Sequence, residues 1–412
     1  MASSSPLNPL HQQAEASFLM YGPPAGGAGH AAGIAAGPGP IAVVETFGEL
    51  EAEYAAIRKG VVVIDLPQRA MVRVTGRERL DFLGRMLTQE LKGFPVFSSR
   101  NSFWLSRKGR IDADLRLTHL EDQTWMAMDV LAAAGAVSTL TEFIFSEDVK
   151  IDSAGQEKHC LALHGPQAAA LLALVSTHVQ GPEVASLARG QAAIVSISGK
   201  QALVERDDQT GDPGFHLVLD TPDVPRIYEQ LLDRGLDTTS LRFRAAGWHA
   251  FNIARIEAGT PVYNIDFGPQ SLPHECGPET LNNRVSFTKG CYLGQEIVAR
   301  MQSLGHPKQM LAGIVLDSPG DGVGGEPASI EDHPARLPTA GAPVLPAGES
   351  DLSKAIGAVT SSTRSPMRSD QGVCFAQMKW ESAKAGVRVT IPTDAGPVVG
   401  TVRDSLVFWK RG

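Results

Sequence analysis

The stretch Val285-Ser286-Phe287-Thr288-Lys289-Gly290-Cys291-Tyr292-Leu293-Gly294-Gln295-Glu296 places the tightest limits on how this chain can fold. Val285 to Phe287 reads as a short strand and Gly290 as part of the turn that ends it, while Leu293, Ile297, Val298, Met301 and Leu304 form the apolar stripe of a helix. Gly305 and Pro307 stop that helix, as a terminal glycine followed by a breaker should. Cys291 then sits just ahead of a helix N-terminus and beside Lys289, where backbone N–H groups and a cation both favour thiolate over thiol. Glu296, in the first helical turn, works against the thiolate while suiting the helix dipole. Two readings of Cys291 stand side by side: a reactive or ligating thiol, or a small buried apolar group, since free cysteine is among the most buried residue types.

Upstream, helix and strand patterns alternate. Thr46 and Glu49 have capping-box spacing ahead of Leu50, Tyr54 and Ile57, and Gly60 closes that helix. Val61 to Ile64 and Met71 to Val74 read as strands, and Thr75 with Glu78 repeats the capping spacing before Leu80 to Leu87. Ser102 to Leu105 and Ile111 to Leu117 flank Lys108-Gly109-Arg110, which predicts a β-hairpin. Alternation puts Asp112 and Asp114 on one face and Leu115 and Leu117 on the other, so the acids read first as the wet side of a strand. Leu131 to Phe145 reads as an Ala-rich helix, Pro166 opens another, and Ala192 to Ser198 and Ala202 to Arg206 read as strands. Thr210-Gly211-Asp212-Pro213-Gly214-Phe215-His216 is by default a tight turn. Trp248 to Ala258 has helical spacing, on which Arg255 and Glu257 form at face value a surface pair.

A chain of 412 residues exceeds what one core usually holds, so two or three domains are expected. No apolar run reaches the ~18 residues needed to span a bilayer, which excludes a membrane partner. The net charge of -8 argues against a general nucleic-acid-binding surface. The four cysteines lie far apart with no C-x-x-C pair, so neither a zinc ribbon nor a disulfide framework is indicated and a cytoplasmic setting fits. His274 and Cys276 lack metal-ligand spacing, and no metal site is assigned. Residues 1–45 are crowded with Ala, Gly and Pro and are expected to be partly disordered, with part of the segment packed. After Pro307, Gln309 to Leu316 and further short strands to Trp409 read as a small all-β domain or barrel, interrupted by a flexible insertion at 317–348.

K-G-C-Y-L-G-Q-E at 289–296 resembles the signature of the YgfZ-type folate-binding proteins, which include an iron–sulfur assembly factor and share a fold with glycine-cleavage aminomethyltransferases. The residues that carry the match are Lys289, Gly290, Cys291, Tyr292, Gly294, Gln295 and Glu296. Other stretches are similar to the same superfamily: Asp65-Leu66 with Val74-Thr75-Gly76, the Thr210–Phe215 segment like T-G-E-x-G-F, Arg255–Tyr263 like R-x-E-A-G-x-P-x-Y, and Leu272–Glu275. The resemblance implies an α+β, aminomethyltransferase-like folate-binding fold over 46–306, of two interleaved subdomains, and a C-terminal antiparallel β-barrel over 307–412.

It also implies tetrahydrofolate or a one-carbon derivative as cofactor. Asp114 would stand beside the reactive folate nitrogens as a catalytic carboxylate, Asp212 would hold the pterin in place of the family's Glu, and Arg255, Glu257 and Tyr263 would line the cavity. Cys291 would be the reactive group. The function implied is support of iron–sulfur cluster assembly or repair, including that of enzymes modifying tRNA, with iron–sulfur client or assembly proteins as partners. The alternative is a folate-dependent aminomethyltransferase, and Ala113, where the glycine-cleavage form has the first of two adjacent aspartates, departs from it. A third reading is a folate sensor or scaffold in which Cys291 only packs.

Overall fold

The computed structural model describes residues 5–22, 39–317 and 337–411. Most of the expected disordered loop near the N-terminus and most of the expected insertion at 317–348 lie outside the described residues. The described backbone falls into two compact units. The first comprises residues 1–107, 112–251 and 283–295, and the second 108–111, 252–282 and 296–412.

The first unit is built on two sheets. The seven-stranded sheet runs in the order Ser176–Gln180, Ala192–Ile197, Lys200–Arg206, Gly214–Asp220, Lys158–His164, Val61–Asp65, Phe243–Ala245. Its pairs are antiparallel except for the last, which is parallel. One face carries Leu161, Leu163, Val204, Phe215 and Leu217 into a core shared with the helices Ala168–Val175 and Val224–Asp237. The five-stranded sheet runs Ser98–Leu105, Ile111–His119, Gln123–Asp129, Arg69–Thr75, Lys150–Ser153. Its core face takes Ala113, Leu115 and Leu117, with the helices Arg79–Met86 and Val130–Thr141 supplying Phe82, Leu83, Ala136 and Leu140. Leu7 and the helix Asn8–Gln13 are tied in by Asp65, which accepts from Ser5 Oγ at 2.5 Å and meets His11 Nε2 at 3.0 Å and His159 Nε2 at 2.5 Å. Burial alone would raise the Asp65 carboxyl, but the imidazoles of His159 and His11 hold it well below the usual range.

The second unit contains a closed barrel of six strands, in the order Gln309–Leu316, Gln371–Lys379, Gly357–Ser365, Pro343–Pro346, Arg388–Ile391, Val398–Val402. All of its pairs are antiparallel. The strand Pro343–Pro346 falls inside the segment expected as insertion, so that segment closes the barrel at its end.

Several local expectations differ. Thr46 ends a strand, Ile41–Thr46, and its hydroxyl donates to Glu53 at 2.7 Å, so no capping box forms with Glu49. The Ala-rich helix stops at Thr141, where Phe143 and Ile144 turn back on Leu140 and Thr141. Residues 285–287 form no strand: the helix Pro278–Arg284 runs straight into a loop, where the Ser286 N–H donates to the Thr88 carbonyl at 3.0 Å.

Candidate functional site

Alternation on the strand Ile111–His119 sends Ala113, Leu115 and Leu117 into the core and turns Asp112, Asp114, Arg116 and Thr118 to the opposite face. Asp114 is held through both oxygens by Arg284, with Nε to Oδ1 at 2.7 Å and Nη2 to Oδ2 at 3.0 Å. This is the fork geometry that makes Arg–carboxylate pairs strong, and the guanidinium also lies over the Phe103 ring at 5.6 Å. Burial pushes the neighbouring Asp112 carboxyl up to about 6.

Arg284 leads directly into the cysteine loop. Lys289 does not turn to Cys291; its ammonium donates to the carbonyls of Gly84, Leu87 and Gln89 at 2.6, 2.6 and 2.9 Å. It thus caps the end of the helix Arg79–Met86, and burial brings it down to about 8. Tyr292 is half-buried 5.2 Å from that nitrogen, its phenol pushed up by burial to about 12. Leu293 packs on the core of the five-stranded sheet. Gly294 has φ +79°, a left-handed conformation that a side chain would strain, and the Gln295 side chain accepts from the Tyr292 N–H at 3.0 Å. The helix begins at Gln295, with Glu296 exposed in its first turn. Cys291 is exposed on the loop, whereas Cys160, Cys276 and Cys374 are buried.

Beside Asp114 on the same strand face, Arg116 lines a cavity of about 500 Å³ that also meets Arg100, Arg189, Arg206, Asp207 and Asn283. Arg116 donates to Ser99 Oγ at 2.8 Å and to the Arg206 carbonyl at 2.6 Å, and its guanidinium lies 3.3 Å from Glu205 and 3.4 Å from Asp207. Arg206 pairs with Asp208 at 2.6 Å. Cys291, Asp114 and Asp212 are not among the residues lining this cavity.

The remaining expected residues are internal. Asp212 is fully buried against Arg58, with Nη1 to Oδ2 at 2.6 Å. Arg255, also fully buried, pairs with Asp266 and donates to Ser361 Oγ at 2.6 Å. Glu257 accepts from Ser365 Oγ at 2.5 Å and from the Met367 N–H at 3.3 Å, so Arg255 and Glu257 are not the surface pair that helical spacing suggests. The Tyr263 hydroxyl donates to the Ile111 carbonyl at 3.2 Å.

Residues 38–289 match the family model described as GCV_T, the GCVT N-terminal domain. The chain belongs to this family. Among its relatives, the aminomethyltransferase of Corynebacterium jeikeium is 27% identical over 330 residues, covering 76% of this chain and 78% of that protein. The aminomethyltransferase of Herpetosiphon aurantiacus is 26% identical over 364 residues, covering 87% and 90%. The crystal structure of glycine cleavage system aminomethyltransferase T from Bartonella henselae superimposes with a TM-score of 0.77 at 21% identity, covering 100% of this chain and 99% of that one, which establishes the aminomethyltransferase fold. No helix among the described residues is long and apolar enough to cross a membrane.

For this GCVT-family chain, sequence reasoning missed the basic partners. Arg116 was legible, being two residues beyond Asp114 and so on its face. The run Arg206-Asp207-Asp208, an ion-pair cluster just before the glycine-rich turn, was a second signal. Nothing local marks Arg58 or Arg284 as the partner of Asp212 or Asp114, because each lies more than a hundred residues away from it in sequence.

Proposed function

We propose that this protein binds tetrahydrofolate or a one-carbon derivative in the cavity of the first unit, and takes part in the aminomethyl transfer for which its relatives are named. The observation that carries the reading is the cavity edged by Arg100, Arg116, Arg189 and Arg206. Its volume of about 500 Å³ suits a ligand of that size, and guanidinium forks suit the carboxylates of a folate tail. When bound, tetrahydrofolate supplies reduced ring nitrogens able to carry a one-carbon unit. Arg116 and Arg206, each already fixed by a carboxylate, would hold the tail without a rotamer search. Asp112, brought by burial to about 6, can hold or release a proton near neutral pH at its carboxyl oxygen. Asp114, locked by Arg284, positions the strand face that carries both groups. Asp212, locked by Arg58, shapes the turn that ends at Gly214. Calorimetric titration of 5-formyltetrahydrofolate into the full chain tests binding, and incubation with tetrahydrofolate and an aminomethylated carrier protein, with methylene-tetrahydrofolate as the readout, tests transfer. Absence of heat at millimolar ligand overturns the reading.

A second reading rests on Cys291. Its exposure within K-G-C-Y-L-G-Q-E, while the other three cysteines are buried, favours support of iron–sulfur cluster assembly or repair, including enzymes that modify tRNA. Folate binding and a sulfur-handling thiol are compatible in one chain. If Cys291→Ala leaves the maturation of iron–sulfur enzymes in cells unchanged, this role is discarded.

A further inference from the structure

Lys289, the first residue of K-G-C-Y-L-G-Q-E, has no donor left with which to act on Cys291. An ammonium carries three N–H groups, and here they meet three carbonyls, those of Gly84, Leu87 and Gln89. Such charge-assisted bonds are roughly twice as strong as neutral ones, so the lysine pins the chain from the end of the helix Arg79–Met86 to Gln89. The pinned stretch is part of the cavity, because Gln89 is one of its lining residues.

Residues 87–89 are stitched on two further sides. Toward the strand Ser98–Leu105, the Phe103 N–H donates to Thr88 Oγ1 at 2.9 Å and the Gln89 N–H donates to Ser102 Oγ at 3.0 Å. Ser99, Arg100 and Asn101 of that strand line the same cavity. Toward the segment that leads into the motif, Thr88 Oγ1 donates to the Arg284 carbonyl at 2.7 Å, and the Thr88 carbonyl accepts from the Ser286 N–H at 3.0 Å. Gln89 Nε2 donates at 3.1 Å to the carbonyl of Asn283, another lining residue. Cys291 stands between two anchors, Lys289 on this loop and Leu293 on the core of the five-stranded sheet, and is itself exposed. A shift of Gln89 or Asn283 in the cavity wall therefore pulls on an anchor of the cysteine loop.

We propose that Lys289 is a positioning residue for the cavity: it holds Gln89 in the wall, and through the same bonds a folate in the cavity is felt at Cys291. This deepens the folate reading above and rests on it. Coupling between two sites is reciprocal, so whatever the seated loop contributes to ligand affinity, bound ligand returns to the seating of the loop. The motif then serves the cavity from behind, and Cys291 responds to occupancy without lining the cavity.

The test titrates 5-formyltetrahydrofolate by calorimetry into the full chain as wild type, Lys289→Met and Lys289→Arg, at a temperature where circular dichroism shows each one folded. Affinity should weaken by about fivefold or more in Lys289→Met, while Lys289→Arg, which still donates to carbonyls, recovers part of the loss. In parallel, the alkylation rate of Cys291 by a neutral reagent is measured with and without saturating ligand. Ligand should slow it by about threefold or more in wild type and leave it unchanged in Lys289→Met. If wild-type chain binds no folate, the functional reading falls and this inference with it. If wild-type chain binds and Lys289→Met binds equally well, the inference alone is overturned. Weaker binding by Lys289→Met, with a wild-type Cys291 rate that ligand does not move, is what a merely structural lysine gives and also overturns it. Should Lys289→Met fail to fold, the wild-type rates decide, and a Cys291 rate unmoved by bound ligand overturns the inference.

Discussion

Removal of the Asp212 carboxylate separates an architectural role from direct ligand recognition. Asp212 and Arg58 are both buried, and one guanidinium nitrogen of Arg58 reaches the carboxylate and the Thr210 carbonyl, each at 2.6 Å, while Nε reaches the Tyr54 hydroxyl at 3.2 Å. Taking away one member of a buried pair costs about 3–5 kcal/mol, because a desolvated charge loses its counter-ion. The carbonyl and hydroxyl stay with Arg58, so the lower end of that range, about 3 kcal/mol, is the expected loss for Asp212→Ala. Urea unfolding followed by tryptophan fluorescence measures it, with the two compact units fitted as separate transitions. The pair Arg58→Met with Asp212→Ala removes both charges and should recover most of the loss, giving a coupling energy of about 2 kcal/mol or more in the double-mutant cycle with the two single variants. If Asp212→Ala keeps stability within about 1 kcal/mol while folate affinity collapses, Asp212 faces the ligand and the reasoning from burial is wrong.

Native chain should take up one equivalent of a thiol-alkylating reagent, at Cys291, and four after denaturation; Cys160 and Cys374, whose thiols burial pushes up to about 12, should react only when unfolded. Lys289→Met removes three charge-assisted hydrogen bonds to carbonyls and should lower stability by about 2 kcal/mol, while the alkylation rate of Cys291 changes by less than about twofold because the ammonium points elsewhere. Asp112 has a folded carboxyl value of about 6 against 3.8 for the free group, so between these values the native state holds a proton that the unfolded state has released. Stability should therefore fall as pH rises through that window, and Asp112→Asn should flatten the slope of the unfolding midpoint there.

What the sequence made legible was whatever depends on near neighbours. The alternation of Ile111 to Leu117 fixes which residues of that strand enter the core, and the short strands after Pro307 do close a barrel. The expected strand at 285–287 failed for a non-local reason: Ser286 is held by the Thr88 carbonyl and Lys289 by the end of the helix Arg79–Met86, so the loop is drawn onto that helix rather than into a sheet. The Lys289 ammonium, expected beside Cys291, is held instead by the carbonyls of Gly84, Leu87 and Gln89, because adjacency in sequence says nothing about where a long, flexible side chain ends.

The same logic decides how a ligand is met. Two acids that resemblance placed against folate are each clamped by an arginine from a distant segment, Asp114 by Arg284 and Asp212 by Arg58. Each clamp leaves its carboxylate fewer lone pairs for a ligand, and in a buried setting an arginine does not let go without a replacement charge. On the reading proposed above, the carboxylates of a folate tail are then met by the arginines that edge the cavity rather than by these two acids. Mutagenesis that follows the motif alone would report Asp212 as essential and yet measure folding.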